Sequence, residues 1–253
     1  MSTRREQLET IKVNQCIEPH TGLWLDKFIS NQEKGKVRND FIAEVATISI
    51  PNFYGLFFNR WQTMLADYKC AGYAAQSREA TVSGRIVIGI GNESILETAV
   101  TLHRTYGVPY IPGSALKGLA ANFARHYCGA DWKQESENYK IVFGTTTQEG
   151  CVVFFDGLYK PDSGFAGRPL HPDVMTVHHQ DYYMEANIPP ADWDDPKPIP
   201  FLSVTGTYLL ALAASKGGEQ WLEASFDILK PALKELGIGA KTSSGYGRMD
   251  LVP

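Results

Sequence analysis

The sequence lacks the features of a membrane or secreted protein. It has no run of about eighteen apolar residues, the length that a membrane-spanning helix needs. Its start, MSTRREQLETIKVNQC, has charges but no apolar stretch typical of a signal peptide. Its cysteines include no C-x-x-C pair, which argues against a zinc site or a disulfide framework. We therefore expect a cytoplasmic protein with no membrane partner and with reduced, mostly buried thiols. The cysteines are Cys16, Cys70, Cys128 and Cys151.

Positive charge is not in excess either. The chain has 24 Lys and Arg against 28 Asp and Glu, a formal net charge of −4. This balance argues against a protein that grips nucleic acid alone through a broad basic face. The charge is uneven, however: residues 173–195 contain six acids and no Lys or Arg, whereas residues 78–125 contain five cations and three acids. The first region would repel phosphate and the second could attract it.

The 253 residues, 43% of them hydrophobic, are enough for one large domain or two small ones. The pattern of the first seventy residues predicts helices joined by loops. In NFYGLFFNRWQTML, residues 52–65, the spacing predicts one apolar helical face. That face comprises Phe53, Leu56, Phe57, Trp61, Met64 and Leu65.

From residue 80 the patterns indicate strands and helices in turn and predict an α+β domain. In chain order the predicted elements are βαββαβ. This is the ferredoxin-like arrangement, in which both helices cover one face of an antiparallel sheet. We predict a helical extension over residues 1–75, the ferredoxin-like domain over 76–253, and an irregular, proline-rich and acidic insertion at about 158–200. The predicted strands are residues 80–90, 151–157, 201–214 and 245–252, and the predicted helices are residues 114–128 and 219–236.

The segment GIGAKTSSGYGR, residues 237–248, is the most distinctive stretch of the chain. Four glycines in twelve positions indicate sharp turns or a close backbone approach, and two cations indicate a negative partner such as phosphate. A simple account is that the glycines end a helix and start a turn. The Lys, Thr and Ser residues between them are not explained by turn chemistry alone. The cations are Lys241 and Arg248.

A second candidate anion site is the start of the helix LKGLAANFARHYCG. Ser114 occupies the position expected of its N-cap, which would leave free amides near Leu116 and Lys117 facing an anion. Two nucleotide-binding motifs are excluded. A P-loop needs glycine where the chain has Ala240 and Glu235, and the RNA-recognition motif needs a basic-Gly-aromatic series that FLSVTGTYLLALAA lacks.

These motifs carry a resemblance to a known family. YIPGSALKGLAANFAR together with GIGAKTSSGYGR resembles the signature pair of the RAMP superfamily of CRISPR RNA-binding proteins. With HTGLWLDKF, DVMTVHHQDYY and PPADWDDPKPIPFLSV, the chain more narrowly resembles the sixth RAMP subunit of the type III-B (Cmr) effector complex. Residues 177–179, Val-His-His, differ from the Pro-His-Tyr typical of that family.

The resemblance implies a non-catalytic subunit without cofactor or metal. It would contact guide crRNA toward its 3′ end, and possibly target RNA, and would cap the backbone filament beside other Cmr RAMP subunits. The acidic insertion and the helix at residues 52–65 would then face neighbouring subunits, and internal packing of the helix is the equally weighted alternative. Carried over by position, the RNA-binding residues are Ser114, Ala115, Lys117, Gly237, Gly239, Lys241, Thr242, Ser243, Ser244, Gly245, Gly247 and Arg248.

Two alternatives use histidine. Some RAMP relatives cut RNA without a metal, and His103 or His178 could act here as general base or acid, whereas a structural histidine is the simpler interpretation. His126, near a helix C-terminus, and His179 are further candidates. A metal site is the second alternative, but no recognised ligand spacing is present. Its ligands would come from His171, Asp173, His178, His179 and Asp181.

Overall fold

The computed structural model describes residue 8 and residues 11–29, 35–179, 182, 184, 189–194 and 196–252. Within these residues, the chain contains both helices and antiparallel strands, as expected for an α+β protein. The helices are α1 (Thr21–Lys27), α2 (Gly35–Val45), α3 (Asn52–Cys70), α4 (Gly113–Tyr127), α5 (Glu137–Phe143) and α6 (Glu219–Pro231). The strands are β1 (Ala74–Val82), β2 (Tyr110–Ile111), β3 (Val152–Phe154), β4 (Gly157–Tyr159), β5 (Leu170–Val177), β6 (Lys197–Val204), β7 (Thr207–Ala214) and β8 (Met249–Leu251).

The main sheet has the order β2-β4-β7-β1-β8, with β3 also paired to β7, and its pairs are antiparallel. β3 and β4 both pair with β7 and together form the second strand of the βαββαβ unit, whose first, third and fourth strands are β1, β7 and β8. The order across the sheet is therefore second, third, first, fourth. α4 and α6 contact each other, and α6 contacts both β1 and β7. This is the predicted ferredoxin-like arrangement, built around β7, every residue of which is buried.

The single strand predicted over residues 201–214 is wrong. The chain breaks at Gly206, whose φ of +117° is favourable for glycine alone, and two strands result. β7 enters the main sheet, whereas β6 pairs with β5 in a separate two-stranded sheet. The sequence pattern missed this break because residues on both sides of it are apolar and β-branched.

The irregular structure predicted for residues 158–200 is also only partly correct. β5 and β6 form a regular antiparallel ribbon of eight residue pairs, from Leu170↔Val204 to Val177↔Lys197. We call this pair of strands the ribbon. Its prolines at 172, 198 and 200 lie in a two-stranded sheet, where each strand is an edge and a missing amide is tolerated.

The first strand of the domain lies further toward the N-terminus than predicted. β1 ends at Val82, not near residue 90, and pairs with β7 from Ala74↔Ala214 to Thr81↔Thr207. The apolar residues that follow, Ile86 and Val87, are fully buried outside the main sheet. Their backbone groups form hydrogen bonds with Val204 and Ala240, which explains their strand-like composition.

The N-terminal part contains α1, α2 and α3, joined by non-helical segments. The apolar face assigned to α3 is wrong in part: Phe53 and Leu56 are exposed, while Tyr54, Phe58 and Leu65 are buried. Tyr54 reaches the main domain, where its hydroxyl donates a 2.8 Å hydrogen bond to the carbonyl of Tyr159.

In the part of the chain that the structure describes, no helix is both long and apolar enough to cross a bilayer. The four cysteines are unpaired, and none is fully buried: Cys70 is exposed and the other three are half-buried. The prediction of mostly buried thiols is therefore wrong.

Candidate nucleic-acid interface

The glycine loop, residues 237–248, joins the end of the second core helix to β8. α6 ends at Pro231, and a π-helical turn over Ala232–Leu236 leads into the loop. All four glycines have positive φ. A Cβ on Gly239 would lie 2.3 Å from the Val87 carbonyl oxygen, and a Cβ on Gly247 would lie 2.1 Å from that of Ile238. The loop therefore needs glycine at these two positions for close backbone approach, as the sequence indicated.

Backbone hydrogen bonds fix the loop to the segment that follows β1. The amide of Ala240 donates to the Val87 carbonyl at 2.7 Å, and the amide of Gly247 donates to the Arg85 carbonyl at 2.8 Å. The loop also closes on itself, because the Ile238 amide donates to the Gly247 carbonyl at 2.8 Å. It is thus a clamped, preorganised turn.

The tip of the loop exposes a set of free amides. Lys241 is left-handed (φ 59°, ψ 31°), and a 3₁₀ turn follows over Thr242–Ser244. The amides of Lys241, Thr242 and Ser243 donate no hydrogen bond within the described residues, whereas that of Ser244 donates to the Lys241 carbonyl at 2.9 Å. A left-handed residue followed by a right-handed one turns successive N–H groups to the same side and makes an anion-binding concavity.

Both predicted cations of the loop are available to an anion. Lys241 and Arg248 are half-buried, and neither forms an ion pair with another described residue. One guanidinium nitrogen of Arg248 donates a 3.3 Å hydrogen bond to the Lys234 carbonyl, which leaves the positive charge uncompensated. The loop therefore combines free amides with two unpaired positive charges.

Sequence reasoning missed the residues that attach the loop to the ribbon. The hydroxyl of Tyr246 donates a 2.8 Å hydrogen bond to Asp173 on β5, and Arg85 lies 3.9 Å from the same carboxylate. Arg85 also donates to the hydroxyl of Ser203 on β6 at 2.8 Å. Burial, then the hydrogen bond and charge of Asp173, raise the pKa of Tyr246, while Arg85 opposes the shift. A tyrosine between two glycines was the available signal, but its partner lies 73 residues away.

The start of α4 differs from the expectation. Pro112, not Ser114, is the N-cap, and the amide of Gly113 donates to the carboxylate of Asp156 at 2.7 Å. The amides of Ala115 and Leu116 donate to the Pro112 carbonyl. The prediction of a free amide at Leu116 is therefore wrong, because the amides of Gly113, Ala115 and Leu116 already have acceptors.

Side chains at the start of α4 nevertheless remain accessible. Ser114 is exposed, and Ser114 and Lys117 line an open cavity of about 560 Å³. The opposite wall is the exposed loop Thr145–Thr147, which sequence analysis did not single out. Lys117 forms no ion pair with a described residue and is half-buried.

The two candidate regions do not form one site. The glycine loop leads into β8 at one edge of the sheet, whereas Gly113 packs against the backbone of Phe154 and Phe155 near the other edge. Three strand spacings, about 14 Å, separate β8 from β4. No hydrogen bond, ion pair or cavity joins the two regions in the described residues.

The candidate catalytic histidines have ordinary surroundings. The His103 ring lies 4.8 Å from that of Tyr106, and its Nδ1 accepts a hydrogen bond from the Thr105 amide. Burial lowers the pKa of His103, and the charge of Asp156 opposes the shift. His178 is exposed at the end of β5, 6.4 Å from the ring of its neighbour.

The remaining histidines are held by structural hydrogen bonds. His126 bonds to the Asn122 carbonyl one turn earlier in α4. His179 bonds to Asp194 at 2.8 Å, which lowers the pKa of that carboxyl group. His171 bonds to Thr205 and to the Arg168 carbonyl.

The candidate metal ligands are not brought together where they are described. Asp173 binds Tyr246, and His179 binds Asp194, while Asp181 lies outside the described residues. Among the residues that the structure describes, no group of three or more His, Cys, Asp or Glu is placed to hold a metal ion.

Comparison with known proteins gives two kinds of match. The family model of the RAMP superfamily matches residues 79–250. Two curated relatives are described as Cmr6 subunits of the CRISPR Cmr system. The one from Pyrococcus furiosus is 34% identical over 220 residues, covering 65% of this chain and 64% of that protein. The one from Saccharolobus solfataricus is 25% identical over 198 residues, covering 77% and 63%. The chain thus spans less than two thirds of each relative.

A solved structure shares the fold. It is a type III-B Cmr-beta complex, determined by cryo-EM with cognate target RNA bound. One of its chains matches with a TM-score of 0.68 and 23% identity, covering 88% of this chain and 76% of that one.

Proposed function

The chain belongs to the RAMP superfamily, and from that premise we propose that it is a non-catalytic, RNA-binding structural subunit of a type III-B CRISPR effector complex. Its partners are guide crRNA, target RNA and the other RAMP subunits. It contacts the crRNA toward the 3′ end and caps the filament of RAMP subunits in the cytoplasm. The similarity to two Cmr6 subunits supports the assignment to this complex.

One observation supports RNA binding most directly: the glycine loop presents three free amides beside two unpaired cations. Backbone amides in this arrangement bind an anion of any source, and a phosphate of an RNA strand has the required charge and acceptor oxygens. These contacts are made to RNA phosphates and not to base edges, so they hold RNA without recognising its sequence. This fits a subunit that carries guides of many sequences.

The other predicted positions have separate roles. Gly237, Gly239 and Gly247 shape the loop, Thr242, Ser243, Ser244 and Gly245 form its exposed turn, and Ser114, Ala115 and Lys117 contact the strand further along. The mildly acidic net charge is compatible with this, because an assembly sums a few phosphate contacts from each subunit.

The proposal is tested by replacing Lys241 and Arg248 with Ala together. If each contact contributes about 1 kcal/mol, affinity for single-stranded RNA falls about 30-fold in a fluorescence-anisotropy titration. Guide RNA retention in a reconstituted complex falls as well. The matched control replaces the exposed Lys69 and Lys216, which lie near the opposite end of the sheet, with Ala. Equal affinity of the test and control variants would refute RNA binding at this loop.

The non-catalytic part of the proposal is tested separately. The purified chain is incubated with CRISPR transcript and with target RNA in the presence and absence of EDTA, and we expect no cleavage. Cleavage that disappears in His103→Ala or His178→Ala would replace this proposal by an endoribonuclease function. A chain that associates with neighbouring subunits equally well after nuclease treatment, and binds no RNA, would instead be a protein adaptor.

A further inference from the structure

An exposed aromatic ring lies on the loop between β4 and β5. We call residues 162–168, Asp-Ser-Gly-Phe-Ala-Gly-Arg, the Phe165 loop. The side chain of Phe165 is 73% exposed. Leaving a ring of this size in water forfeits most of the roughly 2 kcal/mol that its burial would contribute. None of the motifs identified in the sequence includes it.

The Phe165 loop is tightly held, so the exposure is not caused by a loose loop. The hydroxyl of Ser163 donates to the Lys160 carbonyl at 2.6 Å and accepts from the Thr207 amide at 2.9 Å. The amide of Phe165 itself donates to the hydroxyl of Thr205 at 3.0 Å. These bonds fix the loop to the start of β7.

The backbone on both sides of the ring is strained. Asp162 and Ala166 have φ values of 58° and 53°, left-handed conformations that non-glycine residues rarely adopt. Gly164 has no room for a side chain, because a Cβ there would lie 2.0 Å from the Arg168 carbonyl oxygen. Strain held in place by surrounding bonds is found where a structure presents a group for binding.

A cavity of about 420 Å³ opens beside the ring. Phe165, His171 and Arg85 line it, and the backbone at Gly84 and Gly206 completes its wall. The volume lies within the range of small-ligand sites. The rings of Phe165 and His171 are 5.8 Å apart and inclined at 60° in an edge contact, and the exposed phenyl ring remains accessible for stacking.

Two guanidinium groups lie near the cavity, that of Arg85 in its lining and that of Arg168 on the Phe165 loop. Burial lowers the pKa of His171, and the charges of Arg85 and Arg168 lower it further, against a backbone hydrogen bond that raises it. Arg85 is 40% exposed and 3.9 Å from Asp173, an ion pair that leaves one side of the guanidinium accessible. Arg168 is exposed. A ring beside two guanidinium groups is a combination that suits a nucleotide.

The cavity adjoins the glycine loop. Arg85 accepts the amide hydrogen bond of Gly247, and Ser83 donates its amide to the Arg248 carbonyl at 2.8 Å. An RNA strand whose phosphate lies at the free amides would therefore pass close to the Phe165 ring. We propose that the cavity takes one base of single-stranded RNA, stacked on Phe165, with Arg85 and Arg168 beside its phosphate. The inference rests on the proposed RNA binding at the glycine loop.

The test combines protein and RNA changes. Wild-type chain and Phe165→Ala are titrated with mixed-sequence RNA oligonucleotides, each carrying one abasic site at a different position. Phe165→Ala weakens binding of the intact RNA by about 5- to 150-fold, the range for losing one base stack. An abasic site at one particular position of the RNA weakens binding to the wild-type chain by a similar factor. Phe165→Ala binds this abasic RNA no more weakly than it binds the intact RNA.

Two controls accompany this experiment. Phe165→Tyr keeps the stacking face and retains affinity, and Tyr127→Ala removes another exposed ring, on α4, without changing affinity. Because Phe165 is exposed, thermal unfolding of Phe165→Ala stays close to that of the wild type.

The outcomes separate this inference from the proposed function. If Lys241→Ala with Arg248→Ala weakens RNA binding and Phe165→Ala does not, the base pocket is refuted and RNA binding stands. If neither variant weakens it, the proposed function fails. Loss of affinity in Phe165→Ala with no selective abasic position also refutes stacking. Unchanged RNA affinity combined with lost association of a neighbouring RAMP subunit would show that Phe165 is a protein contact instead.

Discussion

At the scale of single residues, glycines of the same loop carry unequal constraints. Gly245 and Gly247 both have positive φ, 88° and 78°. A Cβ on Gly245 would have open space, whereas one on Gly247 would clash with the Ile238 backbone. The sequence shows four equivalent-looking glycines, and only the contacts distinguish those that permit close approach from those that permit a turn.

This difference predicts the result of two matched substitutions. Gly245→Ala should cost about 1–2 kcal/mol, the strain of a left-handed alanine. Gly247→Ala should cost clearly more, about 3 kcal/mol or above, because the clash adds to the same strain. The measurement is the free energy of unfolding in urea for both variants. Equal losses would contradict the close approach of residues 238 and 247.

At the scale of elements, the glycine loop and the ribbon are tied together by side chains. Tyr246 in the loop bonds to Asp173 on β5, and its ring lies 6.1 Å from that of Phe201 on β6. The free amides at the tip therefore depend on a partner element for their position. The ribbon was expected to be irregular and to face neighbouring subunits, and no sequence signal identified it as the partner of Tyr246.

The link predicts an energetic coupling between the two elements. In a double-mutant cycle, Tyr246→Phe and Asp173→Asn should show a coupling free energy of about 1–2 kcal/mol, the range for a hydrogen bond to a charged group that is partly exposed. Urea unfolding measures it. Tyr127→Phe serves as control for loss of a hydroxyl, because Tyr127 is 61% exposed. Additive single effects would mean that the bond does not hold the loop.

At the scale of the whole molecule, charge limits how RNA is held. The net charge is −4, and many cations are already paired, including Arg38, Arg78 and Lys160. The unpaired cations at the candidate contacts are Lys117, Lys241 and Arg248. Binding by this chain alone should therefore be weak and should involve few phosphates.

The salt dependence of binding tests this expectation. Three phosphate contacts at these cations give a slope of about −2 for log K against log salt concentration, and a further contact at Arg168 would make it about −3, since each contributes about −0.7. Lys241→Ala should reduce the magnitude by about 0.7. Titrations over a range of KCl concentrations measure both values. A slope steeper than about −5 would indicate a broad basic face and contradict the charge argument.

Sequence alone determined the parts of this protein that depend on local pattern. Apolar spacing located α4 and α6, the strand and helix order gave the ferredoxin-like sheet, and glycine density marked the loop at residues 237–248. The motifs also pointed to the family. Each of these signals lies within a short stretch of chain, where composition and periodicity reflect backbone conformation directly.

Only the tertiary structure decided the rest, because it depends on contacts between distant residues. The break at Gly206, the register that ends β1 at Val82 and the burial of Tyr54 in place of Leu56 follow from what each segment packs against. The same holds for the free amides at residues 241–243, since an amide is free only when no other segment supplies an acceptor. Local sequence does not encode such partners.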